Sequence, residues 1–302
     1  MNLSQTDKIY DSIFKKIRYQ QYDVFLCGGA SWKDHKSYRD QIRDELNKGL
    51  PECMNILYPE DLFMDMLNRK DYDLLTMETV LAQNCDVIII VPESPGSFAE
   101  LGAFVNNEET AKKVLILQQQ KYKRQHSFIT QGPVSYLSSK HKNSVIYFGK
   151  DDIKEVVASV IKVIQSRFTY SFLSGSKIPF KDTDKLTGLV YYEILLLYFY
   201  EQIDVDVLWN LMRQSYNDVA KIKNKTVENV LVTASLTCLY KHGYIRKQLG
   251  QYELTKAGVE QANKILGMLR YDSMNVREMN GLRLEILRDQ LSENKKDMEA
   301  TE

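Results

Sequence analysis

The stretch Pro92-Glu93-Ser94-Pro95-Gly96-Ser97-Phe98-Ala99-Glu100-Leu101-Gly102 gathers residue types that can bind and attack a sugar. It follows an apolar run, residues 86–91, and leads into a helical pattern, which predicts a strand, a turn and a helix. Gly96 permits a tight turn with close backbone approach. Backbone N–H groups at the helix start attract an anion or a ribose hydroxyl, and Ser97 adds a hydroxyl of its own. One turn further in, the Glu100 carboxylate could attack the anomeric carbon of a ribosyl group, as the nucleophile of a retaining glycosidase does. The same residues, Ser97-Phe98-Ala99-Glu100, also read as a capping box with Ser97 at the N-cap and Glu100 at N3. Spacing alone favours the cap, because capping boxes are common and spacing does not imply a nucleophile.

Other candidates carry two readings each. Gly28-Gly29 can let a phosphate approach the backbone or can serve only as a tight turn. Asp61 can bind a ribose hydroxyl or can cap the helix that begins at Leu62. Glu78 reads as a solvated helix residue, and Asn106 and Asn107 as helix-end caps that could reach a neighbouring site. Trp32 can stack on a base or simply pack. The run Lys121-Tyr122-Lys123-Arg124-Gln125-His126 is a basic loop whose Lys123 and Arg124 could contact phosphate.

These residues need a scaffold, and the first half of the chain supplies the pattern for one. Continuous apolar runs at 24–27, 55–58, 86–91, 114–117 and 145–148 alternate with helical patterns at 37–48, 61–84 (broken near Lys70), 97–107 and 151–167. Continuous rather than alternating apolar runs fit strands covered on both faces, hence a Rossmann-like α/β domain with a parallel five-stranded sheet. Ligands of such sheets bind beyond the carboxyl ends of the strands. Gly28-Gly29, residues 59–61 and residues 92–100 all fall at strand ends. Residues 168–188 read as a linker. After it, helical patterns at 189–200, from 205 and at 226–240 precede a two-strand wing at 244–247 and 252–254. A further helix follows, which is the order of a smaller, mostly helical winged helix-turn-helix domain. The expected division is 1–167, the linker, and 189–302 with a polar helical tail. On the second domain Lys221, Lys223, Lys225, Arg246 and Lys247 are candidate contacts for nucleic acid or a protein partner.

Bulk composition narrows the classes. The chain has 302 residues, 44% hydrophobic, with 40 basic and 40 acidic side chains, so any nucleic-acid contact must come from a local patch. The longest apolar run, 189–200, is interrupted by Glu193 and too short to span a bilayer, and no signal peptide is evident at the N-terminus. A soluble cytoplasmic protein without membrane contact is expected. Cys27, Cys53, Cys85 and Cys238 are scattered without metal-ligand spacing and read as free thiols. The four histidines form no metal motif, so no metal and no cofactor are expected.

Three segments together resemble the effector protein of type II bacterial retrons. They are residues 25–29 (FLCGG), residues 58–63 (YPEDLF), and residues 92–104 followed by Asn106-Asn107-Glu108. Such effectors join a nucleoside 2-deoxyribosyltransferase-like domain to a winged-helix domain. The resemblance implies that Glu100, before Leu101-Gly102, is the nucleophile and that Glu78 is an orienting carboxylate. It implies substrate contacts by Gly28, Gly29, Asp61, Ser94, Gly96 and Ser97. The family also carries an aspartate shortly before the nucleophile, where this chain has Ser94 with Glu93 beside it. That departure moves the expected reaction from base exchange toward hydrolysis. The implied protein is a toxic antiphage effector cleaving the N-glycosidic bond of a nucleotide or NAD. The retron reverse transcriptase and its multicopy single-stranded DNA would hold it inactive, and a homo-oligomer or larger assembly is expected. The competing expectation is a nucleotide-sensing, DNA-binding regulator without catalysis.

Overall fold

The computed structural model describes residues 3–33, 35–49, 54–58, 62, 73–173, 178, 180–220 and 224–299. Contacts divide it into two compact units, one of residues 20–178 and one joining the N-terminal 19 residues to those from 179 onward.

In the first unit, β1 (Tyr22–Cys27), β2 (Met54–Leu57), β3 (Val87–Ile90), β4 (Val114–Gln119) and β5 (Val145–Phe148) form one sheet. All neighbours are parallel and the order is β2-β1-β3-β4-β5. The chain goes outward from β1 to β2 and then returns to the other side of β1 as β3. The crevice at that reversal, between the carboxyl ends of β1 and β3, is where such sheets bind ligands. Side chains alternate across the sheet. Val24 and Leu26 face a core that includes Ile42 and Leu46 of helix Tyr38–Gly49, and Val156 and Val160 of helix Ile153–Leu173. Phe25, pointing the other way, meets Phe104 of helix Pro95–Val105 at 5.8 Å between ring centroids. Cys27 shares the Phe25 face by the same alternation. Covered faces explain why the strands read as continuous apolar runs.

The second unit is built around helix Leu186–Tyr200, buried at every position but Tyr198. A helix apolar all round belongs inside a core, and this one does. Helices Val205–Val219, Lys225–Lys241, Lys256–Gly267 and Val276–Glu299 surround it. Strands β6 (Gln202–Asp204), β7 (Ile245–Gln248) and β8 (Gln251–Leu254) make an antiparallel sheet in the order β6-β8-β7. The winged-helix order is as expected, with a third strand added. Three residues, two of them polar, are too few to carry a periodic signal for β6.

Two boundaries differ from expectation. Residues 3–19 pack with the second unit rather than the α/β unit. Arg18 N–H donates to Met268 O at 2.9 Å, Arg270 N–H to Lys16 O at 3.0 Å, and Tyr19 Oη to Lys181 O at 2.8 Å. The span 168–188 is not simply a linker, because Ile153–Leu173 is helical and Thr183 is buried, its hydroxyl bonded to Ser215 O at 2.7 Å. Among the described residues no helix is long and apolar enough to cross a membrane.

Candidate active site at the sheet reversal

Three elements converge on the reversal. Cys27 ends β1, Glu78 lies on helix Leu74–Asn84, and Glu100 lies on helix Pro95–Val105. Cys27 and Glu78 are buried and Glu100 is partly buried. Burial pushes the Cys27 thiol well above its ordinary range, and the carboxylates of Glu100 and Glu78 push it further. The thiol thus stays protonated and hydrogen-bonds the Glu100 carboxylate. The result is a Glu100 carboxylate bonded to a protonated thiol, with the buried Glu78 carboxylate acting on the same thiol, at the carboxyl end of β1. Sequence reading left Cys27 as one more buried thiol, and only the period-two alternation from Phe25 could have aimed it at Glu100.

The turn corrects the capping expectation. Helix Pro95–Val105 begins earlier than residues 97–107, with Ser94 at the N-cap and Ser97 at N3. Ser97 N–H donates to Ser94 Oγ at 3.2 Å, and Ser94 N–H donates back to Ser97 Oγ at 2.9 Å. Ser97 Oγ also accepts from Glu93 N–H at 3.0 Å and donates to Ser94 O at 2.8 Å. The Ser97 hydroxyl is buried and committed to its own turn. Glu100 sits in the second helical turn, outside the capping box, so the competing structural role for it falls away. Gly96 is exposed, and its N–H has no partner among the described residues. Asn106 closes this helix and Asn107 caps the short helix Glu108–Ala111.

The first turn is occupied from within. Glu93 Oε1 accepts from Gly29 N–H at 3.2 Å and Arg39 N–H at 3.0 Å, while Oε2 accepts from Tyr38 N–H at 2.9 Å. Gly29 N–H therefore already has an acceptor. Gly28 has a packing reason, since a Cβ there would lie 2.6 Å from Arg39 Cβ. Behind the turn, Asp40 accepts from the Ser31 hydroxyl and from Arg39 Nε at 3.3 Å. Burial alone would raise the Asp40 carboxyl, but Ser31, Arg39 and Arg43 hold it below the usual carboxylate range. Arg39 and Arg43 lie over the Tyr58 ring at 4.6 and 5.2 Å. The roles of Glu93 and Tyr58 were not given by the sequence, because each acts on a segment distant in the chain.

The remaining candidates scatter. Lys123 is exposed over the Tyr147 ring at 4.8 Å, and Arg124 is exposed in the same loop beyond β4. Trp32 is 74% exposed. In the second unit, Lys225 is the exposed first residue of its helix and Lys247 is exposed on the wing. Arg246 is paired with Glu253 at 2.5 Å. Asp61, Lys221 and Lys223 lie outside the described residues.

A doubly wound α/β unit with carboxylates gathered at its sheet reversal, carried with a winged-helix unit, defines the class. The family model of the STM3845 retron effector protein matches residues 35–247. The chain is 31% identical over 265 residues to the Escherichia coli retron Ec86 putative ribosyltransferase/DNA-binding protein, covering 85% of this chain and 84% of that one. It is also 31% identical over 125 residues to the corresponding Escherichia coli retron Ec73 protein, covering 40% and 39%. The chain belongs to the STM3845 retron effector family.

Proposed function

We propose that this retron effector is a glycosidic-bond-cleaving enzyme with Glu100 as nucleophile and a nucleotide or NAD as substrate. The observation that carries the reading is the Cys27, Glu78 and Glu100 cluster at the sheet reversal. A Glu100 oxygen attacks C1′ of the ribosyl group, and the N-glycosidic pair of electrons leaves on the base. The glycosyl ester on Glu100 is then opened by water at C1′, which restores the carboxylate and releases the sugar with net retention. Glu78 orients the sugar, and Gly96 N–H offers a donor to an anionic or hydroxyl group. Asp61 is proposed to add a ribose contact. Ser94 caps its helix and Glu93 binds backbone, so neither stands in for the aspartate that the resembling transferases carry before the nucleophile, which favours water as acceptor. The relatives are named as ribosyltransferases, which agrees with glycosyl chemistry. Restraint by the retron reverse transcriptase and its multicopy DNA, and assembly as an oligomer, belong to the same proposal.

Base release from NAD and a nucleotide panel, by wild type and Glu100→Gln, tests it. Wild type is expected to release base, with a loss on the order of 10³-fold or more in kcat for the variant. Equal release by the two contradicts the assignment.

The DNA-binding reading draws on the winged-helix order and the relatives' names. Helix Lys225–Lys241 buries residues 230–232 and 234–236 and presents no arginine, and Arg246 is neutralised by Glu253. Duplex affinity that is weak and falls with salt favours the enzyme; tight, sequence-selective binding without turnover favours the regulator.

A further inference from the structure

Open α/β sheets hold a ligand phosphate where the first strand turns into its helix, because backbone N–H groups and the helix dipole meet there. In this chain a carboxylate of its own lies in that place. Glu93 takes the N–H groups of Gly29, Tyr38 and Arg39 at 3.2, 2.9 and 3.0 Å. Gly29 is fitted to it, since a Cβ there would come within 3.1 Å of Glu93 Cγ. Glu93 is held from its other end as well, its N–H bonded to Ser97 Oγ in the box that starts the Glu100 helix. Three bonds to an ionised acceptor thus join the first turn to the turn that carries the nucleophile.

We infer that Glu93 is a positioning and specificity-determining residue: it fills the phosphate place, fixes the 92–97 turn and thereby Glu100, and keeps an anionic substrate group out of the Gly28-Gly29 turn. The positioning half rests on Glu100 being the nucleophile, whereas the occupation does not. A phosphorylated substrate must then place its phosphate elsewhere.

Thermal denaturation in rising sodium phosphate, against sodium chloride of matched ionic strength, tests occupation without turnover. Glu93→Ala is expected to melt below wild type in chloride and to regain stability saturably in phosphate. Wild type responds to phosphate no more than to chloride. Glu93→Gln, which keeps an acceptor but loses the charge, falls between them. No phosphate response in Glu93→Ala, or an equal response in wild type, overturns the inference. If Glu93→Ala does not fold in chloride, recovery of the fold in phosphate supports occupation, and failure to recover overturns it. In the base-release assay Glu93→Ala should lose about 10²-fold in kcat with KM changed only a few-fold, and phosphate should restore part of the rate. Undiminished kcat overturns the positioning half. A wild type that releases no base removes the Glu100 reading and the positioning half with it, while the thermal response still decides the occupation.

Discussion

Cys27 and Cys85 illustrate how a residue's surroundings set its chemistry. Both thiols are buried, and burial raises Cys85 to about 12 and Cys27 well above its ordinary value. The thiolate is the reactive form, so neither should react with a disulfide reagent at about pH 8 in the native protein, and both should react after unfolding. Mass analysis of labelled peptides checks this, and rapid native labelling of Cys27 would mean that the cluster is open to water. The position of Glu100 was legible in part. The sequence placed it on a strand-turn-helix but read Ser97 as the N-cap, and only the hydrogen-bond geometry puts Ser94 there instead. Glu93 was not legible, because its partners lie 54 to 64 residues away.

At the scale of elements, helix Leu186–Tyr200 carries the most unusual group. Glu193 is fully buried, accepts from Ser235 Oγ at 2.7 Å, and leaves Oε2 without a partner among the described residues. Burial raises its carboxyl to about 8. A carboxyl raised in the folded state favours folding fully below the unfolded value, and that contribution is lost as pH rises toward the folded value. Wild type should therefore lose stability relative to Glu193→Gln between about pH 4.5 and 8, by a few kcal/mol at most. Urea unfolding of both proteins across that window checks the sign, and parallel pH profiles would contradict it. The five parallel strands were readable because strands covered on both faces are apolar at every position. β6 was not, since its three residues gain strand character only from pairing with β8.

At the scale of the whole chain, sequence order misleads about which segments fold together. Residues 3–19 precede β1 but join the second unit through hydrogen bonds to 181, 268 and 270. Removing residues 1–19 should lower the stability of the winged-helix unit while sparing the sheet of residues 20–178. Hydrogen exchange should show lost protection in helices Leu186–Tyr200 and Lys256–Gly267 and unchanged protection in β1, β3 and β4. The sequence pattern could name the two architectures but not this return of the N-terminus, which depends on contacts more than 160 residues apart.

The proposed chemistry depends above all on a covalent bond between Glu100 and the sugar. A 2-fluoro-substituted ribosyl substrate slows both steps by destabilising the oxocarbenium-like transition state, and a nucleoside or NAD form with its base as leaving group allows the ester to accumulate. Peptide mass spectrometry after incubation should place the glycosyl adduct on Glu100. Base release with no adduct there, or an adduct on another residue, would contradict a nucleophilic Glu100.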